Sequence, residues 1–288
     1  MNSRYRILPD SQLLRPLLHP FILITMAAPK TTSKTQKKVY TITYGDVAEN
    51  HARMQKIGQL HAEGYSLATL QAVQRRLLGE GIVSDLIPLH EVLLEEDRDR
   101  TDEAYVLVIR KGAQHILGTD GTVELMAEND ALTMDKHALM RGRVVNKLAR
   151  WNLCFADEDQ EPLYEDGKGR IVAWSHIPLM QQIRLKIAEW TDDELLNGEA
   201  NYYYDVSKCG IGYHGDGERK KVFAVRMGPC MPLYYQWYQR SEKIGPRIQL
   251  DLCDGDMYMM SAKAVGFDWL KKNILTLRHA TGCDKFTK

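Results

Sequence analysis

Charge of one sign is the first thing this sequence lacks: across 288 residues, 38 Lys and Arg stand against 38 Asp and Glu. Without a net field the chain cannot hold a polyanion by overall charge, so a nucleic-acid partner would have to meet a local basic face. Cysteine is also sparse. The five, Cys154, Cys209, Cys230, Cys253 and Cys283, show no CxxC spacing, which excludes a zinc ribbon and suggests no disulfide framework. Reduced thiols and an intracellular setting, cytoplasmic or nuclear, are therefore expected. No apolar run is long enough to cross a bilayer, because Arg15, Pro16, His19 and Pro20 break the stretch from Leu13 to Ile24. Neither a membrane nor a protein partner is indicated. Nor is there a phosphate loop, since Gly167-Lys168-Gly169 is only a turn.

What is present suits a globular protein. Apolar residues make up 44% and charged residues 26%, leaving ample material for a core. Residues 1–27 carry Arg4, Arg6 and Arg15 against Asp10 and read either as an organelle presequence or as an extension without fixed structure. Lys30 to Lys38 is a basic, polar linker with nothing to bury. The expected organisation is an extension and linker over 1–38, an N-terminal α/β region over 39–140 and a catalytic region over 141–288.

Alternation predicts a strand from Val39 to Tyr44, and Ser66 is placed to cap a helix carrying Leu67, Leu70, Val73 and Leu77, stopped by Gly79. A second helix is expected from Ser84 to Glu96, then a buried strand from Tyr105 to Ile109, with turns at Lys111-Gly112 and Asp120-Gly121. The stretch from Arg141 to Phe155 mixes cations with aromatics and reads either as an edge segment or as a surface for phosphates and bases. A helix with Pro178 in its first turn should present Leu179, Met180, Ile183 and Ile187 to a sheet. Beyond it come short strand-like runs, Val222 to Met227, Leu233 to Tyr238, Ile248 to Leu252 and Met257 to Met260. They are punctuated by Gly228-Pro229, Gly245-Pro246 and Asp254-Gly255. That succession suits an α+β protein with a jelly-roll (double-stranded β-helix) core and flanking helices better than a βαβ fold.

The chemistry is concentrated at His214-Gly215-Asp216. In an extended strand these side chains share one face, and with a second histidine from a distant strand they would form a two-His-one-carboxylate site for Fe(II). His279 is the one histidine after Asp216. Candidate walls are Tyr213, Tyr234, Tyr235, Trp237 and Tyr238, and alternation from Val222 turns Arg226 inward as a reserve partner for a carboxylate.

The order helix, Asn-Tyr-Tyr, Gly-Ile-Gly-Tyr-His-x-Asp, a strand ending in Gly228, Gly255-Asp256 before an apolar strand, and a closing Leu-Thr-Leu-Arg resembles the AlkB family of Fe(II)- and 2-oxoglutarate-dependent dioxygenases over roughly Val144 to Gly282. The resemblance implies that His214 and Asp216 bind iron and that Tyr204 contacts 2-oxoglutarate, with Tyr202 standing where the family usually has asparagine. Two registers compete at the end of the chain. One aligns Leu275 to Arg278 with the family's final strand, gives Arg278 to 2-oxoglutarate and puts the distal-histidine position near Asp268 or Trp269. The other makes His279 the distal ligand and Lys285 the carboxylate partner, and is preferred because His-x-Asp gains little without a third ligand. The implied reaction consumes 2-oxoglutarate and O2, with ascorbate as a candidate reductant, and hydroxylates or oxidatively demethylates a substrate.

A modified nucleic-acid base is the first substrate expectation, held by Arg143, Lys147, Arg150, Arg219, Lys220 and Lys221. A protein side chain is the nearest rival, and a catalytically silent jelly-roll binding module is the reading from another class.

Overall fold

The structure, a computed structural model, describes residues 5–8 and 37–288. The expected presequence or extension at 1–27 and the linker at 30–38 lie almost wholly outside the described residues. The protein is α+β and rich in sheet, built in three layers.

The middle layer is an eight-stranded sheet in the order Ile171–Ala173, Trp151–Ala156, Asn197–Tyr203, Val39–Gly45, Val222–Met227, Met257–Met260, Tyr105–Ile109, Ser84–Pro88. Its pairings are antiparallel except that between Ile171–Ala173 and Trp151–Ala156. Strands from 39–140 lie within this sheet among strands from 141–288, so the boundary expected at 140 does not divide the sheet. One layer outward are the helices Leu67–Gly79 and Pro178–Thr191, which share an apolar core with Tyr40, Ile42, Tyr44, Phe223 and Val225 of the sheet. The opposite face packs on a five-stranded sheet, ordered Tyr5–Leu8, Glu242–Leu252, Met231–Gln239, Thr276–Gly282, Gly210–His214. Val222, Ala224, Tyr258 and Met260 meet Tyr235, Trp237, Ile248 and Leu277 there in a second core. Strand alternation explains the division, because odd and even residues of one strand serve different cores.

Ser66 accepts a hydrogen bond from the Thr69 N–H and caps the helix that ends at Gly79, burying Leu70, Val73 and Leu77. Two expectations need correction. Ser84 to Glu96 does not form one helix: Ser84–Pro88 is a strand paired with Tyr105–Ile109, and only Glu95–Arg98 is helical. Leu86 and Ile87 satisfy a strand as well as a helix, and Pro88 removes the N–H that a helix would need. Gly245-Pro246 is not a turn but an irregularity inside Glu242–Leu252; the chain reverses at Arg240-Ser241, both at positive φ. The turns expected at Lys111-Gly112 and Asp120-Gly121 are present, and each leads into a short helix, Gly112–Leu117 and Gly121–Asp130.

The cysteine expectation is corrected as well. Cys230 and Cys253 are disulfide-bonded, while Cys154, Cys209 and Cys283 are free. The bond follows from register: Met231 pairs with Leu252, so the residues just outside that pair face each other. No helix among the described residues is long and apolar enough to cross a membrane.

Candidate metal centre

Two strands of the smaller sheet bring the histidines together. His214 lies opposite His279, and His279 lies opposite Tyr235 on the next strand. The three rings thus form a row on the inward face, with imidazole centroids 4.5 Å apart and the Tyr235 ring 6.0 Å from that of His279.

Asp216 arrives by a different route from the one the sequence suggested. The strand stops at His214, so alternation does not carry the carboxylate round. A turn does, anchored by the Asp216 N–H donating to the Val265 carbonyl at 3.0 Å. A Cβ on Gly215 would stand 2.0 Å from the Gly266 carbonyl oxygen, so only glycine fits between His214 and Asp216.

Asp216 Oδ1 is 3.5 Å from Nε2 of His214 and 3.5 Å from Nε2 of His279. The ligand atoms of all three lie within 4.8 Å of one another. His214 Nδ1 faces the carbonyl oxygens of Gly212 at 2.8 Å and His279 at 3.0 Å. Carbonyls only accept, so Nδ1 carries the proton and Nε2 turns a lone pair toward Asp216. Burial, reinforced by the neighbouring His279, holds the His214 imidazole down to about 3 and keeps it neutral. Burial alone would raise Asp216, but His279 and Arg219 outweigh it and pull the carboxyl below its usual range. Arg219 is itself buried and paired with Glu199 and Glu218, its Nε 3.8 Å from Asp216 Oδ2.

The larger sheet faces this row with polar groups. Asn152, Asn201, Thr41 and Arg226 are successive register partners across four strands. Their chain neighbours Leu153, Ala200, Ile42 and Val225 belong to the helix-side core, so these four point to the other side. Arg226 is 0% exposed, and its Nε and Nη1 have no hydrogen-bond partner among the described residues. Thr41 Oγ1, the Tyr235 hydroxyl and His279 Nδ1 are likewise buried without partners. Burial raises the Tyr258 hydroxyl, with the Arg226 charge pulling it down and the Asp216 charge pushing it up.

The residues assigned to 2-oxoglutarate do not converge on the triad. Tyr204 stacks on Trp151 with centroids 4.7 Å apart and donates its hydroxyl to the Leu148 carbonyl at 2.6 Å. Arg278 lies on the face of its strand opposite His279, over the Tyr238 ring at 4.2 Å. Lys285 is exposed, over Phe286 at 5.5 Å. Of the five candidate wall residues, Tyr235 and Trp237 face inward, whereas Tyr213, Tyr234 and Tyr238 are on the outer face.

The six cations expected to hold phosphates do not make one free face. Lys147 is buried and donates to Asn50 and Asn152, Arg150 donates to Asn201, and Arg219 is committed to carboxylates. Lys221 pairs with Asp193 and Lys220 donates to the Ala62 carbonyl, leaving Arg143 exposed. Reasoning from the sequence held Arg226 only in reserve, although its alternation with Val222 and Ala224 was the available signal. It missed Glu199, which no motif marks.

The chain is 47% identical over 256 residues to an uncharacterized protein of Acanthamoeba polyphaga mimivirus, a match covering 88% of this chain and 98% of that protein. No protein-family model matches it.

Proposed function

This chain belongs to one family with the mimivirus protein, and we propose that it is an AlkB-like Fe(II)- and 2-oxoglutarate-dependent dioxygenase. One observation carries the reading: His214, Asp216 and His279, separated by up to 65 residues, present two imidazoles and a carboxylate within 4.8 Å on the inward face of a sheet. The donor set fits, because donors 3.5 Å apart can share one ion at bond lengths of about 2.0–2.2 Å. When bound, Fe(II) with 2-oxoglutarate and O2 would supply oxidation of a substrate C–H bond, giving succinate, CO2 and a hydroxylated product.

The chain's own residues have distinct tasks. The carbonyls of Gly212 and His279 fix the His214 tautomer, and Arg219 steadies the outer oxygen of Asp216. Arg226 supplies what the acid co-substrate needs: a buried guanidinium with free N–H groups, suited to fork onto a carboxylate. It takes the place expected for Arg278 or Lys285. The Asn-x-Tyr pattern also fits better one residue earlier than the sequence alignment had it. Asn201 and Tyr203 point to the Arg226 side, and the Arg226 charge reaches Tyr203, whereas Tyr202 packs in the helix-side core. Two facing, mainly antiparallel sheets with the site between them are compatible with a jelly roll. A modified nucleic-acid base is the proposed substrate, supported by the AlkB-like order of motifs.

Succinate formation with Fe(II), 2-oxoglutarate, O2 and ascorbate tests the proposal. His214→Ala and His279→Ala should each lower turnover by about 100-fold or more, above the effect of outer-shell losses. Arg226→Met should raise the KM for 2-oxoglutarate by about 10- to 100-fold, the worth of a charge-assisted hydrogen-bond pair. Turnover unchanged by His214→Ala would end the reading.

A further inference from the structure

Glu199 lies within the Asn197–Tyr203 strand, buried, two residues before Asn201 and so on the same face of the larger sheet, the one that meets the smaller sheet. Its two carboxylate oxygens are engaged by different partners. Oε1 accepts from the Asn152 amide at 3.3 Å and from the Asn201 amide at 3.1 Å, while Oε2 accepts from the Arg219 guanidinium through Nη2. The two amides are themselves held. Lys147 donates to Asn152 Oδ1 at 3.1 Å and Arg150 donates to Asn201 Oδ1 at 2.5 Å; both cations only donate, so each asparagine presents its NH2 group to Glu199. A buried network of this kind, with every member paired, fixes the carboxylate in place.

Arg219 is the group that Glu199 restrains. Its Nε donates to Glu218 Oε1 at 2.9 Å and stands 3.8 Å from Asp216 Oδ2. The first distance is a hydrogen bond, whereas the second is too long for one and leaves charge attraction alone. Asp216 meanwhile keeps Oδ1 turned to the histidines, 3.5 Å from each Nε2. A guanidinium forked directly onto this carboxylate would occupy the lone pairs that a metal ion needs. The 3.8 Å separation is therefore a working distance, close enough to orient Asp216 and too far to cap it.

We propose that Glu199 is a positioning residue for the metal centre, anchoring Arg219 so that its guanidinium orients Asp216 without closing onto it. Without the Glu199 charge, Nη2 of Arg219 loses its strongest acceptor, and the carboxylates left within ion-pair reach are Glu218 and Asp216. A buried guanidinium cannot stay unpaired, so it moves onto Asp216 and competes with the metal for one carboxylate. The larger sheet thereby sets the metal affinity of ligands carried by the smaller one and its turn. The inference rests on the metal reading of His214, Asp216 and His279, and extends it to a residue that acts through Arg219.

The test is titration of the full chain with Co(II), followed by calorimetry and by the visible absorption of the bound ion. Glu199→Gln, which keeps the shape and removes the charge, should weaken Co(II) binding by about 10- to 100-fold, the size of an outer-shell loss. Its absorption bands at saturation should match those of wild type, because the ligands are the same three. Removing the competitor as well, in Glu199→Gln/Arg219→Met, should give tighter binding than Glu199→Gln alone. A merely structural role predicts the reverse, with the second loss weakening binding further. Wild-type affinity in Glu199→Gln, or a double variant that binds no better than Glu199→Gln, would overturn the proposal. Should Glu199→Gln fail to fold, the double variant, which buries neither charge, still decides: affinity within about 10-fold of wild type supports the proposal, and a larger loss overturns it. Absence of Co(II) binding by wild type would end the metal reading itself, so the two failures are told apart.

Discussion

A charged side chain taken out of water must be met by fixed dipoles, and Lys147 shows what that costs. It is 9% exposed and donates to the Asn50 carbonyl and the Asn152 amide oxygen, both at 3.1 Å. Desolvation pulls its pKa from 10.5 down to about 8. Below pH 8 both folded and unfolded chains carry this charge, so folding bears the whole desolvation cost. Above 10.5 neither does. Between them the unfolded chain holds more protons, so stability rises with pH. Chemical denaturation of wild type and Lys147→Met across that interval should show wild type gaining about 3 kcal/mol relative to the variant. A difference independent of pH would contradict the buried charge. The sequence made Lys147 a phosphate contact because composition cannot tell a solvated lysine from one enclosed by asparagines. Nor could it tell whether Tyr202 or Tyr203 points between the sheets: alternation fixes which residues share a face, while the neighbouring strands decide which face is inside.

At the scale of elements, local chemistry and tertiary contact divide the work. Ser66 caps its helix by a bond within four residues, so the sequence could announce it, and Ser66→Ala should cost about 1 kcal/mol in thermal or chemical denaturation. Gly215 is different. Its constraint comes from Gly266, 51 positions on, and no local pattern reveals it. Gly215→Ala should displace the turn that brings Asp216 to His214. The result expected is lower thermal stability together with weaker Co(II) or Fe(II) binding by calorimetry, and unchanged metal affinity would show that the turn can yield. Ser84 to Glu96 was misread because Leu86, Ile87 and Leu89 suit either period. Pairing with Tyr105–Ile109 settles the matter for the strand.

For the whole molecule, the packing of two sheets creates a polar interior beside an apolar one. The same inter-sheet space holds Trp237 and Leu277 in one part and Arg226, Thr41 and the triad in another. The Cys230–Cys253 bond ties adjacent strand ends across 23 residues. Unreduced, denatured protein should therefore expose three of its five thiols to a thiol reagent. Reduction should lower stability by about 3 kcal/mol, as expected for closing a loop of this size. Five reactive thiols before reduction would refute the bond.

The sequence by itself determined the capped helix and the run of short strands, because each depends on residues a few positions apart. Tertiary structure alone decided that His279 joins His214 and Asp216, that Arg226 and not Arg278 or Lys285 faces inward, and that two cysteines meet. Those outcomes depend on the register between strands far apart in the chain, and register is set by how whole faces bury their apolar side chains together.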